Sequence, residues 1–452
     1  MRKQIGFTQG KILSPLLQFA FPVLVALILQ TMYGAVDLLV IGQFCGAADV
    51  SAVSTGSQIL QMVTVLVTGL AMGTTVLLGQ KLGQGDEEGA GDTIGTSIVL
   101  FGIVGVIITI ILVVFAKTFA IWTHAPSEAL AATTDYVRIC GGGALFIVAY
   151  NVLGSVFRGI GDSKTPLIAV AIACVVNIVL DLLFVAVFGM GVAGVALATA
   201  LAQLISVILS VVIIRKRGLP FALHQKQIRI QKPVMLKTLR LGAPVAFQDF
   251  LVSCSFMVII AIVNVLGVVP SAGVGVAERL CGFIMLIPSA FMQSISAFVA
   301  QNIGADEPLR AKRAMQYGMI TSFVIGLMLA YVGYFHGELL ASIFARDGAV
   351  IVQAADYLKA YSIDTLLVSF LFCFIGYFNG CGETNFVMVQ GIAGAFGVRI
   401  PVSYLMSRLP QTSLFLIGLA TPCSTLVQII LCIVWMVRME KRSQKKDVTQ
   451  LA

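Results

Sequence analysis

The hexapeptide Phe157-Arg-Gly-Ile-Gly-Asp162 recurs 221 residues later as Phe378-Asn-Gly-Cys-Gly-Glu383, and this recurrence decides the fold. The same spacing, within one residue, relates four further pairs: Gln80 and Gln301, Gly83 and Gly304, Asp135 and Asp356, Pro22 and Pro244. A register that holds over most of the chain indicates an internal duplication. The sequence therefore predicts two similar halves, each with the same order of elements.

The chain around these repeats is strongly apolar. Of its 452 residues 58% are hydrophobic and only 11% are charged, against about 25% charged residues in an ordinary soluble domain. The mean hydropathy is +0.99. So few charges cannot cover the surface of a soluble protein of this size, and the same numbers exclude a disordered chain. We therefore expect a membrane protein that crosses the bilayer many times.

Twelve apolar runs are long enough to span a bilayer as helices, which need about 20 residues each. They lie at 14–44, 50–80, 93–121, 133–157, 166–188, 192–214, 241–267, 273–303, 314–344, 357–378, 386–408 and 414–437. The predicted fold is all-α, with two pseudo-symmetric six-helix bundles inserted in the same orientation. The expected domains are an N-terminal lobe at 1–214, a basic linker at 215–240, a C-terminal lobe at 241–437 and a tail at 438–452.

Positive charge is distributed unevenly between the two sides of the predicted bundle. The termini and the loops that follow even-numbered spans hold 22 of the 29 Lys and Arg residues. The positive-inside rule then places both termini in the cytoplasm and the chain in the cell membrane. It also explains the net charge of +8 without a nucleic-acid partner.

The sequence offers no pattern for cofactor or enzyme chemistry. The nine Cys are scattered without a CxxC pair, the three His lie far apart, and the glycine-rich turns lack the spacing of a phosphate loop. Nor is a paired nucleophile and base visible. We therefore expect no enzyme, no bound cofactor and no metal other than a monovalent cation.

Four polar residues lie inside the apolar runs of the first half: Asp37, Asn177, Asp181 and Thr199. An ionisable side chain at the bilayer centre costs at least about 2.5–3.5 kcal/mol, so Asp37 and Asp181 are functional candidates. Asn177 and Asp181 are four residues apart and share one helix face. Carboxylate, amide and hydroxyl oxygens would suit H⁺ or Na⁺, and we predict a cation-coupling site. The alternative is a satisfied hydrogen-bond network between helices.

Other polar or helix-breaking residues are candidates for the substrate cavity or for gating. In the first half they are Pro22, which would kink its helix, and Gln30, Tyr33 and Asn151. In the second half they are Glu278, Arg279 and Asp364, for which ion pairs near the outer surface are the alternative. A static kink or simple interhelical packing would equally explain the first group.

The motifs together resemble the multidrug and toxic compound extrusion (MATE) family over essentially the whole chain. The supporting stretches are Pro22…Asp37-Leu-Leu-Val-Ile-Gly42, Gly79-Gln-Lys-Leu-Gly83, Phe157–Asp162 and Ala300-Gln-Asn-Ile-Gly304. This resemblance implies a V-shaped pair of bundles and a cation-coupled antiporter that exports amphiphilic, often cationic molecules by alternating access. It further implies that the four polar residues are similar to the N-lobe cation site of the DinF-like branch. The NorM-like branch instead has acidic residues in the membrane interior of the second lobe, where the resemblance offers Asp364 as a counterpart in poor register.

The expected partners are therefore small amphiphilic substrates and membrane lipids, with a monomeric protein. One rival function is a lipid-linked oligosaccharide flippase of related fold, which needs basic residues in its cleft to hold a pyrophosphate. The span-associated candidates for that role are Arg138, Arg279 and Arg399. A channel or a receptor is the other rival.

Overall fold

The computed structural model describes the backbone of residues 7–451 and the side chains of residues 7–442. Two of the charges used to orient the chain, Arg2 and Lys3, lie outside the described residues, as do the side chains of Lys445 and Lys446. Within the described range the regular structure consists of helices, and it contains no strand. The all-α prediction is confirmed.

The first half contains eight helices. Their bounds are α1 Leu13–Phe44, α2 Ala47–Gly83, α3 Glu87–Val114, α4 Ala116–Trp122, α5 Leu130–Gly142, α6 Ala144–Ile160, α7 Lys164–Asp181 and α8 Gly191–Arg217. A π-helical segment, Leu182–Val187, continues α7 directly after Asp181. The non-helical stretch that follows α8 contains one 3₁₀ turn, Gln225–Gln227.

The second half repeats this order. Its helices are α9 Lys232–Asn264, α10 Val268–Ile284, α11 Leu286–Gly304, α12 Pro308–Phe335, α13 Gly337–Ala341, α14 Gly348–Cys381, α15 Thr384–Gly394, α16 Ile400–Ser407, α17 Leu414–Gly418 and α18 Ala420–Leu451. The π-helical segment Ala395–Arg399 joins α15 to α16. The corresponding spans of the two halves, α7 and α15–α16, therefore both contain a π-helical turn.

Eleven spans in the described range are long and apolar enough to cross a membrane. The bent pair α5 and α6, which meet at 51°, counts as a twelfth. The twelve predicted spans are thus accounted for, although α9 and α14 begin nine residues before their apolar runs. Hydropathy identifies only the part of a helix that lies in the hydrocarbon region of the bilayer, whereas the backbone hydrogen bonds of the helix continue beyond it.

The backbone packs into two compact units. Unit 1 comprises residues 1–246, 297–311 and 380–382, and unit 2 comprises 247–296, 312–379 and 383–452. Each unit has a core around a fully buried tyrosine, Tyr136 in unit 1 and Tyr357 in unit 2. These two residues are separated by the repeat spacing, so the duplicated sequence builds duplicated cores.

Within unit 1, two glutamine side chains make equivalent contacts, which we call the glutamine pair. Gln301 Nε2 donates to the Gly159 carbonyl at 2.8 Å, and Gln80 Nε2 donates to the Gly380 carbonyl at 3.2 Å. Both acceptors belong to the recurring hexapeptide. The hexapeptide turns at a glycine in the left-handed region, Gly161 in the first copy with φ 84° and Gly382 in the second with φ 86°. Each glutamine therefore binds the turn that belongs to the other half of the sequence.

The helix ends beside the glutamine pair approach each other without room for a side chain. A Cβ atom on Gly83 would lie 1.9 Å from the Gln301 carbonyl oxygen, and one on Gly304 would lie 2.1 Å from that of Gln80. Real Cβ contacts essentially never fall below 3.0 Å. The recurrence of glycine at these two positions therefore has a steric cause.

The N-terminal segment is held against the same region of unit 1. Phe7 is buried, with its ring centroid 5.2 Å from that of Phe19 and 4.8 Å from that of Phe298. Arg310 donates to the carbonyls of residues 7, 9, 10 and 11 at 2.7–3.2 Å. Asn302 Nδ2 also donates to the Phe7 carbonyl, at 3.2 Å. We call this arrangement the N-terminal clamp.

Candidate functional site

Three helices of unit 1 bring the four predicted site residues together. Asp37 lies on α1, Asn177 and Asp181 lie on α7, and Thr199 lies on α8. α1 packs against both α7 and α8, and these two helices pack against each other. Asp181 is the last residue of α7 before the π-helical segment. Such turns occur frequently at functional sites because they interrupt the regular hydrogen-bond pattern.

The two carboxylates are buried. The exposed fraction is 3% for Asp37 and 0% for Asp181 and Asn177, whereas Thr199 is partly buried. Thr199 Oγ1 donates to Asp37 Oδ2 at 3.1 Å. Asp181 and Asn177 lie close enough to interact with the Asp37 carboxylate, although neither meets the geometry of a hydrogen bond. The predicted cluster therefore forms in space.

Most polar atoms of this cluster have no protein partner. Asp37 Oδ1, both carboxylate oxygens of Asp181 and both amide atoms of Asn177 are buried without a hydrogen bond. Among the described residues, no Lys, Arg or His nitrogen lies within 4.0 Å of either carboxylate. Buried charges are normally paired, and an unpaired one is costly. A satisfied structural network, the alternative weighed for these residues, would have left far fewer such atoms.

The other first-half candidates make ordinary interhelical hydrogen bonds. Gln30 Nε2 donates to the Tyr150 hydroxyl at 2.9 Å, and the Tyr33 hydroxyl donates to the Val170 carbonyl at 3.2 Å. Asn151 Oδ1 accepts from Thr68 at 3.0 Å, and its Nδ2 donates within its own helix. Pro22 is buried inside α1. Tyr33 lies one helical turn before Asp37 on α1.

The second-half candidates do not form the ion pairs that were the alternative interpretation of these residues. The described side chains contain three ion pairs, and none involves Glu278, Arg279 or Asp364. Asp364 is buried and accepts from Thr425 Oγ1 at 2.6 Å. It lies well inside α14, because that helix begins at Gly348, before the apolar run. Glu278 Oε1 is buried without a partner, and Arg279 is exposed.

Sequence reasoning did not place Arg399 in a site of its own. Its side chain is 6% exposed and its Nη1 donates to Ser255 Oγ at 3.0 Å, within unit 2. The sequence shows Arg399 as an arginine inside an apolar run. Such residues are rare because a charged side chain in the membrane interior is energetically costly. The structure also shows no group of three or more His, Cys, Asp and Glu side chains arranged to hold a metal ion among the described residues.

One carboxylate outside the spans, that of Asp86, has a lowered pKa. Asp86 caps the start of α3 by accepting from the Gly89 backbone N–H at 2.8 Å. The Lys81 ammonium lies 2.7 Å from its other oxygen and holds the pKa of Asp86 below the usual value, and the Gly89 bond acts in the same direction. This pair lies between α2 and α3, at the end of the helices where the glutamine pair is found.

Comparison with known proteins agrees with the duplicated organisation. A family model described as MatE matches residues 22–183 and 244–405, which begin at the two equivalent prolines. The chain is 30% identical over 427 residues to the probable multidrug resistance protein YpnP of Bacillus subtilis (strain 168), covering 91% of this chain and 90% of that protein. It is 25% identical over 445 residues to the probable multidrug resistance protein YoeA of the same organism, covering 96% and 94%.

Solved structures share the fold over nearly the full length. One is described as the outward-facing conformation of a multidrug resistance MATE family transporter of the MOP superfamily. It has a TM-score of 0.91 and 21% sequence identity, and the match covers 98% of this chain and 99% of that chain. Another, described as a MATE in the bent conformation, also has a TM-score of 0.91, at 22% identity over 99% of each chain.

Proposed function

The chain belongs to the MATE family, a family of transporters rather than enzymes, and we propose that it exports amphiphilic, often cationic drugs or metabolites in exchange for H⁺ or Na⁺. Its relatives YpnP and YoeA carry multidrug resistance names, which supports a broad range of drug substrates. We further propose a monomer in the cell membrane, and the uneven distribution of Lys and Arg supports an orientation with both termini in the cytoplasm.

One observation carries the proposed ion coupling: two buried carboxylates in unit 1 have no cationic partner of their own. Each negative charge in the membrane interior is unfavourable, and two near one another are more so. A bound proton or Na⁺ removes part of this cost. The oxygens of Asp37, Asp181 and Asn177 that lack a partner are hard donors of the kind that Na⁺ prefers. The Asp37–Asp181 cluster is therefore the proposed coupling site.

Coupling to export requires that ion occupancy favours one arrangement of the helices over another. α1 and α7 have structural features that suit such a change, since Pro22 interrupts the hydrogen-bond ladder of α1 and a π-helical turn follows Asp181. We propose alternating access, in which binding of the ion at Asp37 and Asp181 changes how α1 packs against α7 and α8. Export then follows the inward flow of the ion.

The energy available per ion sets a limit on this exchange. One positive charge moving across 100 mV supplies about 2.3 kcal/mol, and one pH unit adds about 1.4 kcal/mol if the ion is H⁺. One proton driven by 100 mV and one pH unit could thus sustain a gradient of a neutral substrate of several hundred-fold. If the substrate is itself a monovalent cation, the exchange moves no net charge across the membrane. The membrane potential then contributes no driving force.

The test is dye efflux from proteoliposomes that carry the full chain, with ΔpH and Na⁺ gradients imposed separately. We expect Asp37→Asn and Asp181→Asn to abolish ion-driven efflux, since each removes a charge that the ion compensates. Asp135→Asn is the matched control, because Asp135 is exposed and only loosely paired with Arg138 at 3.7 Å. Full coupled transport in both site variants would rule out this assignment of the coupling site.

The flippase alternative is not favoured. Of the three arginines that could hold a pyrophosphate, Arg138 and Arg279 are exposed, and only Arg399 is buried. The two relatives described above are named as probable multidrug resistance proteins. A channel would be distinguished by the absence of ion-dependent substrate counterflow in the same proteoliposomes.

A further inference from the structure

The chain between α8 and α9 lies against unit 1 over residues 221–232, which we call the linker segment. Gln227 Nε2 donates to the Glu88 carbonyl of α3 at 3.1 Å. Further along α3, Thr96 Oγ1 donates to the Arg229 carbonyl at 3.2 Å. The two bonds hold the linker segment along the first turns of α3, so it is a fixed part of unit 1 and not a free tether.

The inner contacts place the linker segment at the level where the apolar part of α3 begins. Phe221 is 7% exposed and packs in one cluster with Ile94. Thr96, which donates to the segment, is the fourth residue of the apolar run 93–121. The ends of such runs lie at the boundary between the hydrocarbon core and the headgroups of a bilayer. The linker segment therefore lies at headgroup level.

The outer side of the linker segment combines basic and apolar side chains. Lys226, Arg229 and Lys232 are exposed. Ile228 and Ile230, on either side of the arginine, are each 43% exposed. None of the three basic side chains belongs to an ion pair among the described residues. The surface thus offers positive charge and apolar area together.

Acidic side chains do not compensate this charge. The chain has no Asp or Glu in residues 182–248. Three acidic residues at the start of α3 line a cavity of about 390 Å³ whose lining includes two lysines of its own: Asp86, Glu88 and Asp92 with Lys81 and Lys237. The outer side of the linker segment therefore keeps its net positive charge.

We propose that the linker segment binds the headgroups of anionic phospholipids. Lys226, Arg229 and Lys232 contact the lipid phosphates, and Ile228 and Ile230 enter the boundary between headgroups and acyl chains. Basic and apolar side chains at one membrane surface combine electrostatic attraction with burial of apolar area. The ligand is a lipid because a soluble phosphate would leave both isoleucines in water. Only the cytoplasmic side of this site rests on the orientation proposed above, and the site itself does not depend on export.

Hydrogen exchange of the peptide that covers the linker segment tests this site in the purified full-length protein. Dioleoyl phosphatidylglycerol is added stepwise to the protein in detergent micelles, with dioleoyl phosphatidylcholine as the zwitterionic reference. We expect phosphatidylglycerol to slow exchange of this peptide several-fold, whereas phosphatidylcholine and inorganic phosphate should leave it unchanged. Equal slowing by both lipids, slowing by inorganic phosphate, or no slowing at all would overturn the proposal.

A triple variant, Lys226→Gln, Arg229→Gln and Lys232→Gln, tests the basic side chains. Each basic residue near an anionic surface strengthens binding by about five-fold, so the midpoint of the phosphatidylglycerol titration should rise by up to about 100-fold. If the triple variant does not fold, Arg229→Gln alone should raise the midpoint by about five-fold. An unchanged midpoint in the folded variant would overturn the site.

The matched control removes the same charge from three exposed basic residues that lie outside the cytoplasmic set: Lys117→Gln, Arg138→Gln and Arg346→Gln. This variant should leave the exchange of the linker peptide and its titration midpoint unchanged. A shift as large as that of the linker variant would mean that net charge, and not the linker segment, decides the response.

The isoleucines separate lipid binding from simple attraction between charges. Ile228→Ser with Ile230→Ser keeps every charge, and we expect a several-fold higher midpoint because the apolar contribution is lost. An unchanged midpoint would overturn the assignment of a lipid. Both side chains point away from the inner contacts of Phe221 and Gln227, so unfolding midpoints in lipid-free detergent should match the wild type. These measurements contain no transport step, so their failure is distinct from failure of the proposed export.

Discussion

Substitution of Gly83 by alanine should destabilise the protein, although alanine normally favours a helix. The added Cβ would lie 1.9 Å from the Gln301 carbonyl oxygen, so the two helix ends must separate by more than 1 Å to reach an ordinary contact. The obstructing atom belongs to the backbone and cannot rotate away. Overpacking of this kind typically costs about 1–3 kcal/mol. The equivalent change, Gly304→Ala, meets the Gln80 carbonyl at 2.1 Å and should cost a similar amount.

A control variant has the opposite expected sign. Gly102 lies inside α3, and no atom lies within 4 Å of the position that its Cβ would occupy, so Gly102→Ala should stabilise its helix by up to about 1 kcal/mol. Thermal unfolding of the purified variants in detergent should therefore give a lower midpoint for Gly83→Ala and a higher one for Gly102→Ala. The two variants would be expected to behave alike if the close approach of α2 and α11 were irrelevant to stability.

The same substitution also tests whether these helix ends separate during transport. If the protein alternates between two arrangements, the methyl group penalises only the one in which the ends touch, and about 1–3 kcal/mol changes the ratio of the two by about 5- to 150-fold. Cys381 follows Gly380, whose carbonyl accepts the Gln80 hydrogen bond. Because Gly83→Ala would favour the arrangement in which the helix ends are apart, alkylation of Cys381 by a maleimide should become faster. Peptide-resolved mass spectrometry measures this rate, with the wild-type protein treated in parallel as the reference. Unchanged alkylation of Cys381 in Gly83→Ala would refute the link to transport.

Three further predictions concern the same end of unit 1. Gln301→Leu leaves the Gly159 carbonyl without its donor and should lower the free energy of unfolding by about 1–3 kcal/mol, measured by chemical denaturation. Arg310→Ala removes the donor of four backbone hydrogen bonds in the N-terminal clamp, so limited proteolysis before α1 should become faster, with equal cleavage rates arguing against the clamp. Asp86→Asn should lower stability at pH 7. Because the folded pKa of Asp86 is depressed, this difference is present above its unfolded pKa, near 3.8, and is lost as the pH falls through the lower folded value. Unfolding midpoints of the wild type and Asp86→Asn should therefore differ more at pH 7 than at pH 3. An equal difference at both pH values would contradict the stabilising role of the Asp86 carboxylate.

The candidate site in unit 1 was largely predictable because charge inside a bilayer is rare. Asp37 and Asp181 could be identified because an ionisable side chain in the membrane interior carries a high free-energy cost. The four-residue spacing of Asn177 and Asp181 placed these two residues on one helix face. The sequence could not specify that α1, α7 and α8 pack together, since that depends on how helix surfaces fit. It also gave no indication of the π-helical turn after Asp181, because such a turn results from packing rather than from residue type.

The second half was predicted less well, for two physical reasons. The sequence placed Asp364 near the start of its span because the apolar run begins at residue 357, whereas α14 begins as a helix at Gly348. Arg399 was recognised only as a charge in a span, since its contact with Ser255 joins residues 144 positions apart. Contacts of that separation depend on tertiary packing, whereas the repeat spacing and the twelve apolar runs are readable directly along the chain.

The glutamine pair has a consequence for the origin of the molecule. Gln80 of the first half binds Gly380 of the second, and Gln301, the equivalent of Gln80, binds Gly159, the equivalent of Gly380. Such a reciprocal pair of contacts is typical of an isologous interface between identical subunits. The two halves of this chain thus meet, at this end of unit 1, as the partners of a homodimer would. Each half kept the glutamine, the acceptor glycine and the small residue that allow the contact. A six-span ancestor that paired with a second copy of itself would have needed the same three residues only once.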